Sequence, residues 1–193
     1  MPRSLPEGQH GSRGTIAVEF ALVLGVFLLV LFGILAVAQT MYVLNTLQEV
    51  SRRAAAAAAK ADFSDAAAMQ QIRQNALFRD SPGTLAFAAP VNDTHVWIDY
   101  LSIAKAADGS LSLQPIASMP ASPAANRIVC MNDPYSDNCV QFVRVRLCAT
   151  ADANGCQPVT LTTVFPWVRL LLPLPSATTI VKAEGLGYIA SPL

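Results

Sequence analysis

Gly14-Thr15-Ile16-Ala17-Val18-Glu19-Phe20 runs straight into Ala21-Leu22-Val23-Leu24, and residues 20–48 make 29 positions without one Asp, Glu, Lys or Arg. A helix crosses the hydrocarbon of a bilayer with about 20 residues, so this run is long enough to span one. Glu19 is the anomaly. It lies inside the hydrophobic stretch, where a carboxylate costs roughly 2.5 kcal/mol or more unless it finds a partner. Cleavage after Gly14 would supply one, because it frees the α-amino group of Thr15, a cation with a pKa of about 8. That amine would sit at the same depth as the Glu19 of a neighbouring copy or related subunit, and pairing is the usual fate of charges within a membrane.

A small residue, four spacers, a glutamate and an aromatic, followed by an uncharged helix, form the pattern of type IV pilin precursors. The stretch from Gly14 to Phe20 resembles the processing site of the Flp, or Tad, branch of type IVb pilins, in which a prepilin peptidase cuts after the glycine. With basic Arg13 before it and Arg52-Arg53-Ala54-Ala55 farther on, it is similar to the TadE-like pseudopilins, or minor pilins. The closing segment, Val159-Thr160-Leu161-Thr162-Thr163-Val164-Phe165-Pro166-Trp167 and then Leu170-Leu171-Leu172-Pro173-Leu174, also resembles the end of TadE-like proteins. TadF proteins share the leader features, and this closing segment favours TadE. Many family members carry a proline early in the membrane helix. Here the place reads Leu24-Gly25-Val26, so a kink would rest on Gly25, and glycine loosens a helix without removing a donor.

The resemblance implies a structural protein without catalysis or cofactor that assists assembly of adhesive pili. Gly14 and Thr15 would be its processing site, and Glu19 and Phe20 its subunit-pairing residues. Its partners would be the prepilin peptidase, other Tad pilins and pseudopilins, the assembly platform of the bacterial inner membrane, and membrane lipid. It implies a single-pass protein with a cytoplasmic N-terminus and a periplasmic C-terminal domain, which could also enter the extracellular pilus.

At 193 residues, 53% hydrophobic and 13% charged, the chain suits one anchor and one modest exported domain. Formal charge is zero, and loss of residues 1–14 would remove Arg3, Arg13 and Glu7 and leave minus one. A basic face is the footprint of a phosphate binder, and nothing here suggests nucleic acid. Cys130, Cys139, Cys148 and Cys156 are an even, clustered set beyond an anchor, which reads as two disulfides in an oxidising compartment. Residues 140–147 alternate Val143, Val145 and Leu147 with Arg144 and Arg146, a strand pattern. Its ends would stand about 30 Å apart, too far for Cys139 to reach Cys148. The preferred pairing is Cys130 with Cys139 and Cys148 with Cys156, with the interleaved pairing second. Zinc is the rival reading, weakened by the lack of a short C-x-x-C pair.

Three segments follow. Residues 1–14, with Pro2, Pro6, Gly8, Gly11 and Gly14, read as a disordered cytoplasmic leader. Residues 15–60 read as one helix of about 69 Å, first membrane-spanning, then amphipathic. In the second part Val43, Leu47, Val50 and Ala54 share a face opposite Asn45, Gln48, Glu49 and Arg52, with Glu49 and Arg53 spaced for an ion pair. Residues 61–193 read as an exported α+β domain, pilin-like, with an antiparallel sheet across which the amphipathic half can lie. Ser64 would cap a helix running to Phe78. Residues 94–103 and 110–116 would form a hairpin around Ala107-Asp108-Gly109, and residues 119–127 a loop. Strands are expected at 127–131, 140–147, 159–165 and 179–189.

Two readings compete with processing at Gly14. In one, Glu19 snorkels at the cytoplasmic interface of a plain anchor. In the other, Ala36-Val37-Ala38 is a secretory cleavage site, although the apolar stretch before it is long for a signal peptide. The positive-inside count does not choose an orientation, since Arg3 and Arg13 face Arg52, Arg53 and Lys60; the cysteines and the short leader favour an exported C-terminal domain. The enzyme inventory is thin. His10 lies in the leader and His95 beside Trp97 in an expected strand, where a rim or core role suits it. The oxygen-rich loop of residues 132–138 could in principle hold calcium, though a turn accounts for it. Trp97 and Trp167 read as core or subunit-contact residues.

Overall fold

The computed structural model describes residues 12–151, 155–162, 171–174 and 177–188, with backbone alone at 12–14, 161, 162, 171 and 172. Expectations placed on residues 1–11, on residues 163–167 including Trp167, on Leu170 and on Ile189 lie outside the described residues. The chain divides into two compact units, Met1–Thr40 and Met41–Leu193.

Helix α1, Ser12–Ala58, has 47 residues, uninterrupted at Gly25. It starts two residues before Gly14, so the end of the expected leader is already helical. From Met41 onward its apolar stripe drives the packing. Val43, Leu47, Val50, Ala54, Ala55 and Ala58 are buried, whereas Asn45, Gln48 and Arg52 are exposed. Each fully buried valine or leucine contributes about 1.5–3 kcal/mol relative to exposure, and the alanines allow the helix backbone to come close to its neighbours. Ser51 is buried but satisfied: its hydroxyl donates to the Gln48 carbonyl at 2.9 Å and lies 2.8 Å from the Thr179 hydroxyl. Arg53 Nε donates to Glu49 at 2.7 Å, the expected pair.

The second helix, α2, Ala66–Ala76, is capped by Asp65 rather than Ser64. The Asp65 carboxylate accepts from Ala67 N and Ala68 N at 2.9 and 3.1 Å, two bonds that one Ser hydroxyl could match less well. Ser64 instead bonds Asp62. A 3₁₀ turn at Asp93–His95 leads into β1, Val96–Lys105, which forms a hairpin with β2, Leu111–Pro115. Gly109 takes φ +87° at the turn, and Ser110 donates to Asp108 from both its backbone N and its hydroxyl.

The expected loop at 119–127 and strand at 127–131 give way to a helix. This is α3, Pro123–Asn132, with Ser122 as its cap and Pro123 in its first turn. Proline at the first helical position loses no hydrogen bond that the helix would have made, so Pro123 marks a start where the sequence reading took it for a loop. Strand β3, Phe142–Leu147, follows, then the short pair β4, Thr150–Ala151, and β5, Cys156–Gln157. A second short ribbon joins β6, Thr160–Thr162, to β7, Leu171–Pro173. The last strand, β8, is Thr178–Lys182, shorter than expected, because the chain turns away at Gly185 and Gly187. Gly187 has φ +75°, and a side chain there would meet the Pro123 ring at 2.9 Å.

The main sheet is antiparallel in the order β2-β1-β3-β8. One face sends Val96, Ile98, Tyr100, Val143, Val145, Leu147 and Val181 into a core shared with the buried stripe of α1 and with Met69 of α2. The molecule is thus α+β, a long apolar N-terminal helix followed by a domain with a four-stranded antiparallel sheet. Tyr100 donates to Met69 Sδ at 3.6 Å and sets its ring against the edge of Phe63. Burial pushes its phenol up to about 12, with Arg73 opposing.

Candidate helical assembly surface and the outer sheet face

No residue from Thr15 to Tyr42 of α1 is buried. Phe20, Leu22, Val26, Phe27, Leu29 and Ile34 all show more than half of their surface. An apolar window within Thr15–Ala58 has mean hydropathy 3.1 and no buried residue, so α1 is long and apolar enough to cross a membrane. A helix apolar on every side belongs in a core or in lipid, and here no core covers it. Thr40, near the end of this run, donates its hydroxyl to the Ala36 carbonyl at 2.9 Å, so the helix itself satisfies that polar group.

Gly14 and Thr15 occupy the first turn of this helix, and Glu19 and Phe20 follow one turn later, both exposed. Thr15 and Glu19 are four residues apart in the sequence, which places them on one side of the helix. The four residues expected to serve processing and subunit pairing thus fall within the first turns of one helix. The four cysteines lie elsewhere. Cys130 pairs with Cys139 and Cys148 with Cys156, and no thiol is left for a metal. Among the described residues no cluster of three or more His, Cys, Asp or Glu could hold a metal ion. The oxygen-rich loop is closed by its own turn bonds, Tyr135 N donating to Asp133 Oδ1 at 2.9 Å and Ser136 N to the Asp133 carbonyl at 3.2 Å.

His95 lies in the 3₁₀ turn, not a strand. Its Nδ1 is 3.1 Å from Asn92 N and 2.7 Å from Asn92 Oδ1, a capping role at the rim of the core. Trp97, by contrast, is on the exposed side of β1.

The outer sheet face holds what the sequence reading missed. Asp99 Oδ2 accepts from Arg144 Nη2 at 3.1 Å and from Arg146 Nη2 at 2.7 Å. Cross-strand register puts Asp99 opposite Arg144 and Trp97 opposite Arg146. Alternation of Arg144 and Arg146 with valines signalled an outward face, but their acid becomes visible only once β1 and β3 are paired. Arg146 also donates to the Gly155 carbonyl at 3.2 Å. A shallow groove of about 390 Å³ runs beside these residues, bounded by Trp97, Met119 and Ala151. Within it the charges hold strand to strand, and no nucleophile stands beside a base. Asn126 is a second missed residue. Buried in α3, it donates to the Val140 carbonyl at 3.1 Å and accepts from Val140 N at 2.8 Å, which fixes α3 to the start of β3 beside the Cys130–Cys139 bond.

No curated protein and no solved structure matches the chain. Residues 14–56 match the family model described as TadE-like protein, a similarity that begins at Gly14 and takes in Thr15, Glu19 and the entire apolar run.

Proposed function

We propose that this protein is a TadE-like minor pilin, a pseudopilin of the Tad (Flp, type IVb) pilus system that serves structurally and not as an enzyme. A prepilin peptidase cuts between Gly14 and Thr15, and the new Thr15 amine pairs with Glu19 of an adjacent pilin. The inner-membrane assembly platform then draws the subunit out as lipid contacts are exchanged for helix contacts of similar apolar character, and the charge pair sets the register. Phe20 packs beside that pair. The observation that carries this reading is the exposed apolar helix with one carboxylate near its start, inside the segment that matches the TadE-like family model.

Glu19→Ala tests it. Cleavage should persist while pilus formation falls sharply, and normal piliation in that variant would count decisively against the pairing. N-terminal sequencing of the mature protein separates the reading from its rivals: Thr15 for a processed pilin, Met1 for a plain anchored periplasmic domain, Gln39 for a secreted one.

A further inference from the structure

We infer that the groove between residues 48–52 of α1 and the free edge of β8 docks an extended acidic segment of a partner protein, which adds to the sheet as a strand and seats a carboxylate on Arg52. The inference does not rest on processing at Gly14.

β8 ends the sheet on one side, and its ladder shows which backbone groups are left over. Leu147 N donates to the Ala177 carbonyl at 3.2 Å and Ala183 N to the Gln141 carbonyl at 2.8 Å. These bonds bracket a register in which Thr179 lies opposite Val145 and Val181 opposite Val143. Bonded pairs alternate along an antiparallel ladder, so Thr179 and Val181 turn their N–H and C=O groups toward β3. Thr178, Ile180 and Lys182 turn theirs to the open edge. Among the described residues no strand pairs with that edge. Proteins usually guard such an edge with charge, proline or a bulge. Here Thr178, Thr179, Ile180 and Val181 are all strand formers, and the single charge, Lys182, is held by Glu184 at 2.8 Å.

A polar groove of about 430 Å³ lies at the Thr178 end of this strand, lined by Gln48, Ser51, Arg52, Ala177, Thr178 and Thr179. Its floor is closed, because Ser51 spends its proton on the Gln48 carbonyl and so receives that of Thr179. The rim is open. There Gln48, Arg52 and Thr178 are exposed, and among the described residues their side chains have no hydrogen-bond or ion-pair partner. All three can donate and no acid lines the groove, so the site favours an anion. The adjacent arginines divide: Arg53 is engaged by Glu49 and lies over the Phe78 ring, which leaves Arg52 for an acid from outside. A guanidinium takes a carboxylate through two parallel bonds. Phosphate would also satisfy Arg52, but it leaves the alternating donors and acceptors of the β8 edge unused. An extended peptide meets both, by the mode in which strands add to exposed edges.

The test uses the full chain in uncharged micelles and a capped pentapeptide of alternating threonine and valine with a central glutamate, carrying rhodamine for anisotropy. It should bind about fivefold more tightly than its glutamine analogue, the scale of a well-formed exposed charge pair. Arg52→Gln should erase that preference and leave binding of the glutamine analogue unchanged, whereas Arg53→Gln should keep the preference. N-methylation of one alternate set of peptide amides should abolish binding, and methylation of the other set should spare it. Equal binding of the two peptides, or a preference that survives Arg52→Gln, overturns the carboxylate seat. Both methylated sets behaving alike overturns strand addition. Inorganic phosphate that displaces the peptide at equal concentration would assign the groove to a free anion and overturn the docking site, as would no binding at millimolar peptide.

Discussion

The two halves of α1 use similar apolar residues and come to opposite ends. Between Ile16 and Tyr42 leucines, valines and phenylalanines face outward on every side, whereas from Val43 to Ala58 the apolar positions are buried and polar ones alternate around them. The difference teaches that residue type alone does not decide burial. An all-round apolar helix has no preferred face and needs an apolar solvent, while a stripe selects one neighbour and leaves the other side in water.

The largest test of that contrast pits Leu47→Ala against Leu29→Ala. Leu47 is 3% exposed and Leu29 73%. Truncating Leu47 should lower the domain's unfolding free energy by about 2–5 kcal/mol, and truncating Leu29 should change it by less than about 0.5 kcal/mol. Denaturant titration of the full chain in micelles, followed by near-ultraviolet circular dichroism, reads both; equal losses would erase the distinction between the halves. The sheet sharpens the comparison, because its inner face is held by apolar packing and its outer face by charge. Asp99→Ala should cost about 1–3 kcal/mol, since it takes the acid away from Arg144 and from the more enclosed Arg146, which keeps its bond to the Gly155 carbonyl. Adding Arg146→Met should recover part of the loss, and no recovery would mean that Asp99 acts otherwise. Smaller again is Gly187→Ala, at about 1–2 kcal/mol for the left-handed backbone, with an added contact on Pro123; a neutral melt would remove the reason given for the early end of β8.

The least effect at neutral pH belongs to Tyr100→Phe, within about 0.5 kcal/mol. Its signature is alkaline. Burial raises the folded phenol from 10.0 to about 12, so the fold binds this proton more tightly than the unfolded chain does. The stability it confers is whole below the unfolded value and is lost as pH rises through the folded one. Parallel titrations on either side of that window should show the variant losing less stability than the parent.

Much of this was legible from residues alone. The uncharged run, the stripe at Val43, Leu47, Val50 and Ala54, and the hairpin around Gly109 all depend on local periodicity or turn chemistry, which a sequence carries in full. The α3 helix was misread because Pro120 and Pro123 look alike as breakers, although one precedes the cap and the other opens the helix. Asp99 between two arginines and the Asn126 clamp depend on pairing across strands and on chain far away in sequence. The turn at Phe87, which has φ +57°, was hidden for another reason: it lacks the glycine that normally announces a left-handed residue.

Both disulfides close short loops on either side of β3, and neither reaches α1. Tension drawn along that helix therefore meets a seam of side-chain packing and the Ser51–Thr179 hydrogen bond, while the cross-links stand behind it. If a motor pulled on the N-terminal end, the helix would peel and re-seat as a reversible mechanical fuse, while the loops at the two ends of β3 stay closed by sulfur.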